Sequence, residues 1–298
     1  MARAGLWPEI TGDWSRTESL MDGAHYPGPG VSFRAVFRRI DMRWALVFLG
    51  VLFSGGVMAG ECKAISPQTT TALVELYTSE GCDSCPPADR WLSSLGAKGY
   101  APERVVPIAL HVDYWDYIGW KDPYAQQRFS SRQRKLAQLT RAAIVYTPQV
   151  LLQGRDFRGW STGAFEHAVS NINAQPAKAR IELTLDAREK GIFQVEARAE
   201  LRDASQQAEA ALYLGSYENK LLSRVQAGEN RGRTLTHDFV VFEWLGPLEF
   251  KGAARLAEQR RLPLLPKAVA AHSGVIAFVQ NRSSAEVLQA LMLPACPG

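Results

Sequence analysis

The feature that most constrains this chain is Cys82-Asp83-Ser84-Cys85, two cysteines separated by two residues. Before them runs an apolar stretch, Ala72-Leu73-Val74-Glu75-Leu76-Tyr77, and after them comes a helix-start pattern, Pro86-Pro87-Ala88-Asp89. The stretch reads as a buried strand, so the dithiol stands where a strand meets a helix. Two intervening residues let both sulfurs lie on the first helical turn, where free backbone N–H groups and the positive end of the dipole favour thiolate. The same spacing also serves half a zinc site or a structural disulfide. The surroundings must decide between them.

The compartment is read from a second segment. Met42-Arg43 precedes an apolar run from Trp44 to Met58, and Val57-Met58-Ala59 offers the small and aliphatic residues of a cleavage site. This is the layout of a secretory signal, with a mature N-terminus expected near Gly60. Residues 1–41 are polar and rich in Pro and Gly, a poor preface to a signal, and are taken as a non-native or disordered leader. We therefore expect a periplasmic or secreted protein with no stable membrane insertion after cleavage. A formal net charge of +4, with no basic tract interleaved with aromatics, gives no sign of a nucleic-acid partner.

An exported chain is free to form disulfides. Its four cysteines sort by position: Cys82 and Cys85 are neighbours, while Cys62 and Cys296 stand at the two ends of the expected mature chain. The second pair is read as a staple between termini, for which a chain-entropy model gives about 5 kcal/mol at most.

Along the chain, strand and helix patterns alternate from about 71 to 174. Strands are expected at 71–78, 104–112 and 149–153, and helices at 87–95, 123–139 and 162–173, the middle one with Phe129, Leu136 and Leu139 inward and Arg128, Arg132, Arg134 and Lys135 outward. Such alternation implies parallel βαβ units. After Gln175-Pro176 the period changes to two, through Ile181, Leu183 and Leu185, then Phe193 to Leu201, Ala211, Tyr213, 235–244 and 275–279. The expected fold class is an α/β thioredoxin-like domain (60–176) followed by a mostly antiparallel β, sandwich-type domain (177–298).

A thioredoxin-type site needs more than its cysteines, and the sequence offers candidates. Glu75, an acid within a buried strand, is expected to be unpaired and to exchange a proton with Cys85. Thr147-Pro148 stands before a strand, where a cis-proline would present extended backbone to a bound peptide. Asp83, with Glu80 nearby, opposes the helix dipole, so a reductant or isomerase poise is expected rather than a strong oxidant. Pro86-Pro87 is expected to delay the helix start. The dense aromatic stretch 111–123 is expected to cover a core, and the spacing of His111, Asp113 and Asp116 suits neither a zinc pair nor an EF-hand.

The blocks 74–89, 111–123 and 145–149, with Val279-Gln280-Asn281 and 286–290 as a closing hairpin, resemble the signature of a secreted, thioredoxin-like bacterial family of unknown function, domain of unknown function 1223. The resemblance spans nearly the whole expected mature chain and implies fold and compartment, not a reaction. From the residues we expect an exported thiol–disulfide oxidoreductase acting on protein thiols or disulfides, or on another redox protein, with Cys82 attacking, Cys85 resolving, Glu75 accepting a proton and Thr147-Pro148 docking the partner. No cofactor or metal is expected. Two alternatives are a copper-binding protein using both thiolates with His111 or His167, and a non-catalytic binding module with a structural Cys82–Cys85 bridge.

Overall fold

Alternation of buried and exposed residues divides the strands of this protein into two kinds. A computed structural model describes residues 61–296, so the expected leader (1–41) and signal segment (42–59) lie outside the described residues. The alternating strands β1 (Cys62–Ile65), β6 (Ala179–Asp186), β7 (Ile192–Leu201) and β12 (Arg255–Pro263) form an antiparallel sheet in the order β1-β6-β7-β12. The strands buried along most of their length are β2 (Ala72–Thr78), β3 (Val105–His111), β4 (Gln149–Leu152), β8 (Ala210–Glu218), β13 (Ser273–Asn281) and β14 (Val287–Pro294). With β5 (Arg155–Asp156) and β11 (Val240–Glu249) they build an eight-stranded sheet in the order β14-β13-β8-β11-β3-β2-β4-β5. A separate hairpin pairs β9 (Leu221–Arg224) with β10 (Thr234–His237). The helices are α1 (Pro86–Ser93), α2 (Gln127–Thr140) and α3 (Gly163–Asn173).

This arrangement corrects the expected fold class. In place of an α/β thioredoxin-like domain followed by a sandwich-type domain, the described residues are mostly β and form no clear thioredoxin α/β fold. Among the described residues, parallel pairing is confined to β2 with β3 and one register position of β11 with β3, and β4 runs antiparallel to β2. Strands from both halves of the chain share the large sheet. The reason lies in β3, whose seven residues are all buried; a strand apolar on both faces cannot stand as an open edge and must be covered. The second half of the chain supplies the cover: Ala109 N–H donates to Phe239 O at 2.8 Å, and β11 then pairs antiparallel with β8. The expected run 235–244 is broken at Phe239, whose φ of 58° ends β10 and turns the chain into β11. β12 escapes notice in the sequence because it is a largely exposed edge strand with few apolar residues.

Three cores pack against the large sheet, one of which joins Val74, Leu76 and Ala109 to Leu92 of α1 and to Phe165 and Val169 of α3. The antiparallel end of the large sheet packs on the four-stranded sheet through Leu212, Leu214, Val275, Ala277 and Val279 against Ile181, Leu183, Phe193 and Val195. On its other face Tyr213, Ile276 and Phe278 join Phe129 and Leu136 of α2. The expected staple is present, with Cys62 of β1 bonded to Cys296 just beyond β14.

Arg132 does not point outward as helical periodicity suggests. It lies inside, donating through Nε to Glu75 Oε2 at 2.7 Å and through one terminal nitrogen to Glu75 Oε1 at 2.9 Å and Gln280 Oε1 at 3.0 Å. The rings of Tyr213, Trp244 and Phe278 lie 5.1, 5.0 and 5.1 Å from its guanidinium carbon. Tyr77 Oη also donates to Glu75, at 2.9 Å. Burial and the Glu75 charge hold the Tyr77 hydroxyl well above its ordinary value. Removing one member of such a pair strands a buried charge. Glu75→Gln is therefore expected to cost about 3–5 kcal/mol in denaturant unfolding, and Glu75→Gln with Arg132→Met to recover part of that loss.

Candidate functional site

The dithiol is shaped by the turn that leaves β2. Ser79 O accepts from Cys82 N–H at 3.2 Å, and Cys82 O accepts from Cys85 N–H at 3.3 Å. Cys85 is the N-cap of α1, which begins directly at Pro86 rather than late. Proline fits there because the first helical N–H groups have no partner within the helix. Cys85 O then accepts from Ala88 and Asp89 N–H at 2.9 and 3.1 Å. Cys82 and Cys85 are bonded to each other, and Ser84 Oγ lies 3.3 Å from Cys82 Sγ.

Neither cysteine is open to solvent: Cys82 is 1% exposed and Cys85 0%. Two segments cover them. The aromatic segment closes over the turn at Gly81, where a Cβ would stand 3.2 Å from both Trp115 Cβ and Ile118 Cδ1. From the other side, the loop 225–233 between β9 and β10 brings in Asn230, fully buried, whose amide donates to Glu80 O and Cys82 O, each at 2.8 Å. Arg233 donates to Asn230 Oδ1 at 2.8 Å, and Asp83 N–H donates to Glu229 Oε2 at 3.1 Å.

Beside this turn lies a buried polar cluster. Glu80 Oε2 accepts from Trp120 Nε1 at 2.8 Å, and Glu80 Oε1 stands 3.2 Å from His237 Nε2. Asp122 Oδ2 lies 2.7 Å from His111 Nδ1 and accepts from Glu80 N–H at 2.9 Å. The two imidazoles meet edge to face at 4.9 Å, and His237 Nδ1 is 3.9 Å from Asp89 Oδ2. Three buried atoms here, Thr78 Oγ1, His111 Nε2 and His237 Nδ1, have no hydrogen-bond partner among the described residues.

Electrostatics give these groups different characters. Burial raises the Asp89 carboxyl above the ordinary carboxylate range, opposed in part by His237 and His111. Burial works against charge on His111 and on Asp122 alike, yet each is held charged by the other: His111 ends above its ordinary value and Asp122 below. No group of three or more His, Cys, Asp or Glu is arranged for a metal among the described residues.

Of the residues expected to form the site, Cys82 and Cys85 are together. Thr147-Pro148 has a cis peptide bond, and Thr147 Oγ1 accepts from Trp115 Nε1 at 2.7 Å, so Trp115 links that dipeptide to the Gly81 turn. Glu75 is not with them. Strand alternation places it with Leu73 and Tyr77 on the α2 face, away from the α1 face of Val74 and Leu76, and Arg132 and Tyr77 occupy both its oxygens. His111 is engaged by Asp122, and His167 is exposed on α3. In the sequence Glu80 stands out only as a charge near the helix dipole, and Asp89, Asp122, Asn230 and His237 are missed as members of the cluster. Glu80 and Asp89 flank the motif and Asp122 lies in the aromatic block, whereas Asn230 and His237 carry no local signal, standing about 150 residues away.

Two outcomes are expected. Asn230→Ala leaves the carbonyls of Glu80 and Cys82 without a donor, costing about 1–3 kcal/mol, and should speed reduction of the Cys82–Cys85 bridge by a dithiol reagent in stopped-flow assays. The His111–Asp122 pair gives a signed pH effect. The raised His111 value contributes stability that is complete below its ordinary 6.5 and lost as pH rises through the folded value. The lowered Asp122 value contributes stability present above 3.8 and lost as pH falls through the folded value. Unfolding of His111→Gln should therefore differ most from the native chain between those two limits, the gap narrowing on either side.

All four cysteines are paired, the pattern of an extracytoplasmic protein. Among the described residues no helix is long and apolar enough to cross a membrane. No curated protein matches the sequence. Among solved structures, protein AGR_C_4864 from Agrobacterium tumefaciens shares the fold with a TM-score of 0.55 and 22% identity, covering 78% of this chain and 98% of its own. HBP35 of Porphyromonas gingivalis does so with a TM-score of 0.58 and 17% identity, covering 77% of this chain and 76% of its own. Residues 73–280 match a family described as "Protein of unknown function (DUF1223)", and it is to this family that the chain belongs.

Proposed function

We propose that the protein is a periplasmic or secreted thiol–disulfide oxidoreductase working through Cys82 and Cys85 on the thiols or disulfides of other proteins. The observation that supports this most is the placing of the bridge. It closes only three residues of chain at the head of α1, beside a cluster of buried carboxylates and imidazoles. So short a loop removes little entropy from the unfolded chain, so stability alone is a poor reason for the bond. The polar cluster beside it is costly to bury, and a site that moves protons is a reason to keep one.

In the reducing direction the Cys82 thiolate attacks a partner disulfide, releasing one partner thiolate and leaving a mixed disulfide. Cys85 then gives up its proton and attacks the Cys82 sulfur, the internal bridge forms, and the second partner thiolate leaves. The proton acceptor in this reading is Asp89 rather than Glu75. Asp89 stands four residues after Cys85, on the same helix face, and burial raises its affinity for a proton. His237 lies between Asp89 and Glu80 and positions both. The carboxylates of Asp83, Glu229 and Glu80 around Cys82 disfavour its thiolate, which fits a reductant or isomerase poise.

A second reading is favoured by the near-complete burial of both cysteines: a binding module whose bridge is structural. Reversible exchange separates the two. With the Cys62–Cys296 staple left in place, the Cys82–Cys85 pair should cycle with a dithiol reagent, and Cys85→Ser should trap Cys82 in a mixed disulfide visible by mass spectrometry. Asp89→Asn should slow bridge closure by about 100-fold and flatten its pH dependence, while Glu75→Gln should leave that pH dependence in place. A pair that resists reduction below about −300 mV and never forms an adduct would make the structural bridge the better account.

A further inference from the structure

The hairpin β9–β10 and its loop do more than complete the cluster. The loop that delivers Asn230 to the dithiol also bounds a surface recess of about 470 Å³ whose lining includes Arg224, Arg231 and Arg233. All three arginines are exposed, and none has a carboxylate partner among the described residues. Other arginines, among them Arg132, Arg158, Arg188 and Arg255, do reach one; what sets these three apart is that they line a single recess. The nearest carboxylate in sequence, Glu229, is turned to the backbone of Asp83 instead.

The recess is joined to the dithiol by a short chain of hydrogen bonds. Arg233 holds Asn230 Oδ1, and Asn230 holds the carbonyls of Glu80 and Cys82. A carboxylate in the recess competes for the Arg233 guanidinium, because a charge-assisted bond is stronger than one to a neutral amide oxygen. Drawing Arg233 away removes one of the contacts that seat Asn230 over a cysteine pair otherwise closed to solvent.

We propose that this arginine-lined recess is the docking site for an acidic segment of the protein partner, and that its occupation loosens the Asn230 latch and opens Cys82 to exchange. The inference rests on the oxidoreductase reading and names the partner's chemistry: a segment rich in Asp or Glu close to the cysteine that is exchanged. Charge complementarity carries it, since three unpaired cations beside a covered nucleophile attract and orient an anionic chain.

The test uses the full chain in its oxidised form and a dye-labelled, cysteine-free peptide of Asp, Glu and Gly, with a Gln, Asn and Gly peptide as control. Fluorescence anisotropy should show binding of the acidic peptide alone, weakening with added salt and about tenfold weaker in Arg224→Gln/Arg231→Gln. Saturating acidic peptide should also speed reduction of the Cys82–Cys85 bridge by uncharged dithiothreitol, by about tenfold. The inference is overturned if the acidic peptide does not bind, if the double variant binds it equally well, or if the bridge is reduced at the same rate with and without it. Failure of the underlying reading looks different. In that case the bridge does not cycle with dithiothreitol even without peptide, and both proposals fall together.

Discussion

One buried cation organises this protein. Arg132 leaves α2 to meet Glu75 of β2, passes among Tyr213 of β8, Trp244 of β11 and Phe278 of β13, and reaches Gln280 at the end of β13. A guanidinium taken out of water must be answered by an anion and by filled donor positions, and here the answers come from both halves of the chain. Burial works against that charge, while the Glu75 carboxylate holds the guanidinium in its protonated form. The two halves are thereby committed to one sheet.

Nearby contacts depend on the same placement. Gln280 passes the network on by donating to Ala285 O at 2.8 Å, in the turn between β13 and β14. Ala285 O in turn leaves no room at Gly154, where a Cβ would stand 2.3 Å away and where φ is +78°. Only glycine suits both that backbone and that approach. Gln153 donates to Val287 O at 3.3 Å while its own oxygen accepts from Leu73 N–H at 2.9 Å. The β4–β5 turn is thus fastened to the C-terminal hairpin, although the two are far apart in sequence.

On the other face of β2 the same sheet supports a different polar system. Glu75 is fully committed to ion pairing, whereas Asp89, Glu80 and His237 are linked by one hydrogen bond and one longer approach, with imidazole nitrogens left open. The first arrangement is rigid and saturated, suited to holding a fold. The second retains unspent donor and acceptor capacity next to the cysteines, which is what proton movement requires. Its members come from β2, α1, β3, the aromatic segment and β10, so it exists only once the hairpin β9–β10 closes on α1.

By itself the sequence determined the local elements: the buried strand before Cys82, the helix after it, the cis-proline position, the pairing of the four cysteines and the alternating strands beyond residue 176. These follow from periodicity, from proline chemistry and from cysteine spacing, all readable within a few residues. It did not reveal which strands are neighbours. β3 and β11 meet across about 130 residues because an apolar edge must be covered, and no short-range pattern records which segment covers it. For the same reason Arg132 looked like a surface residue and Glu75 like a free acid, since each is explained only by the other. Asp89, Asn230 and His237 became site residues only through tertiary structure, because burial and proximity, which set their chemistry, are properties of the folded chain.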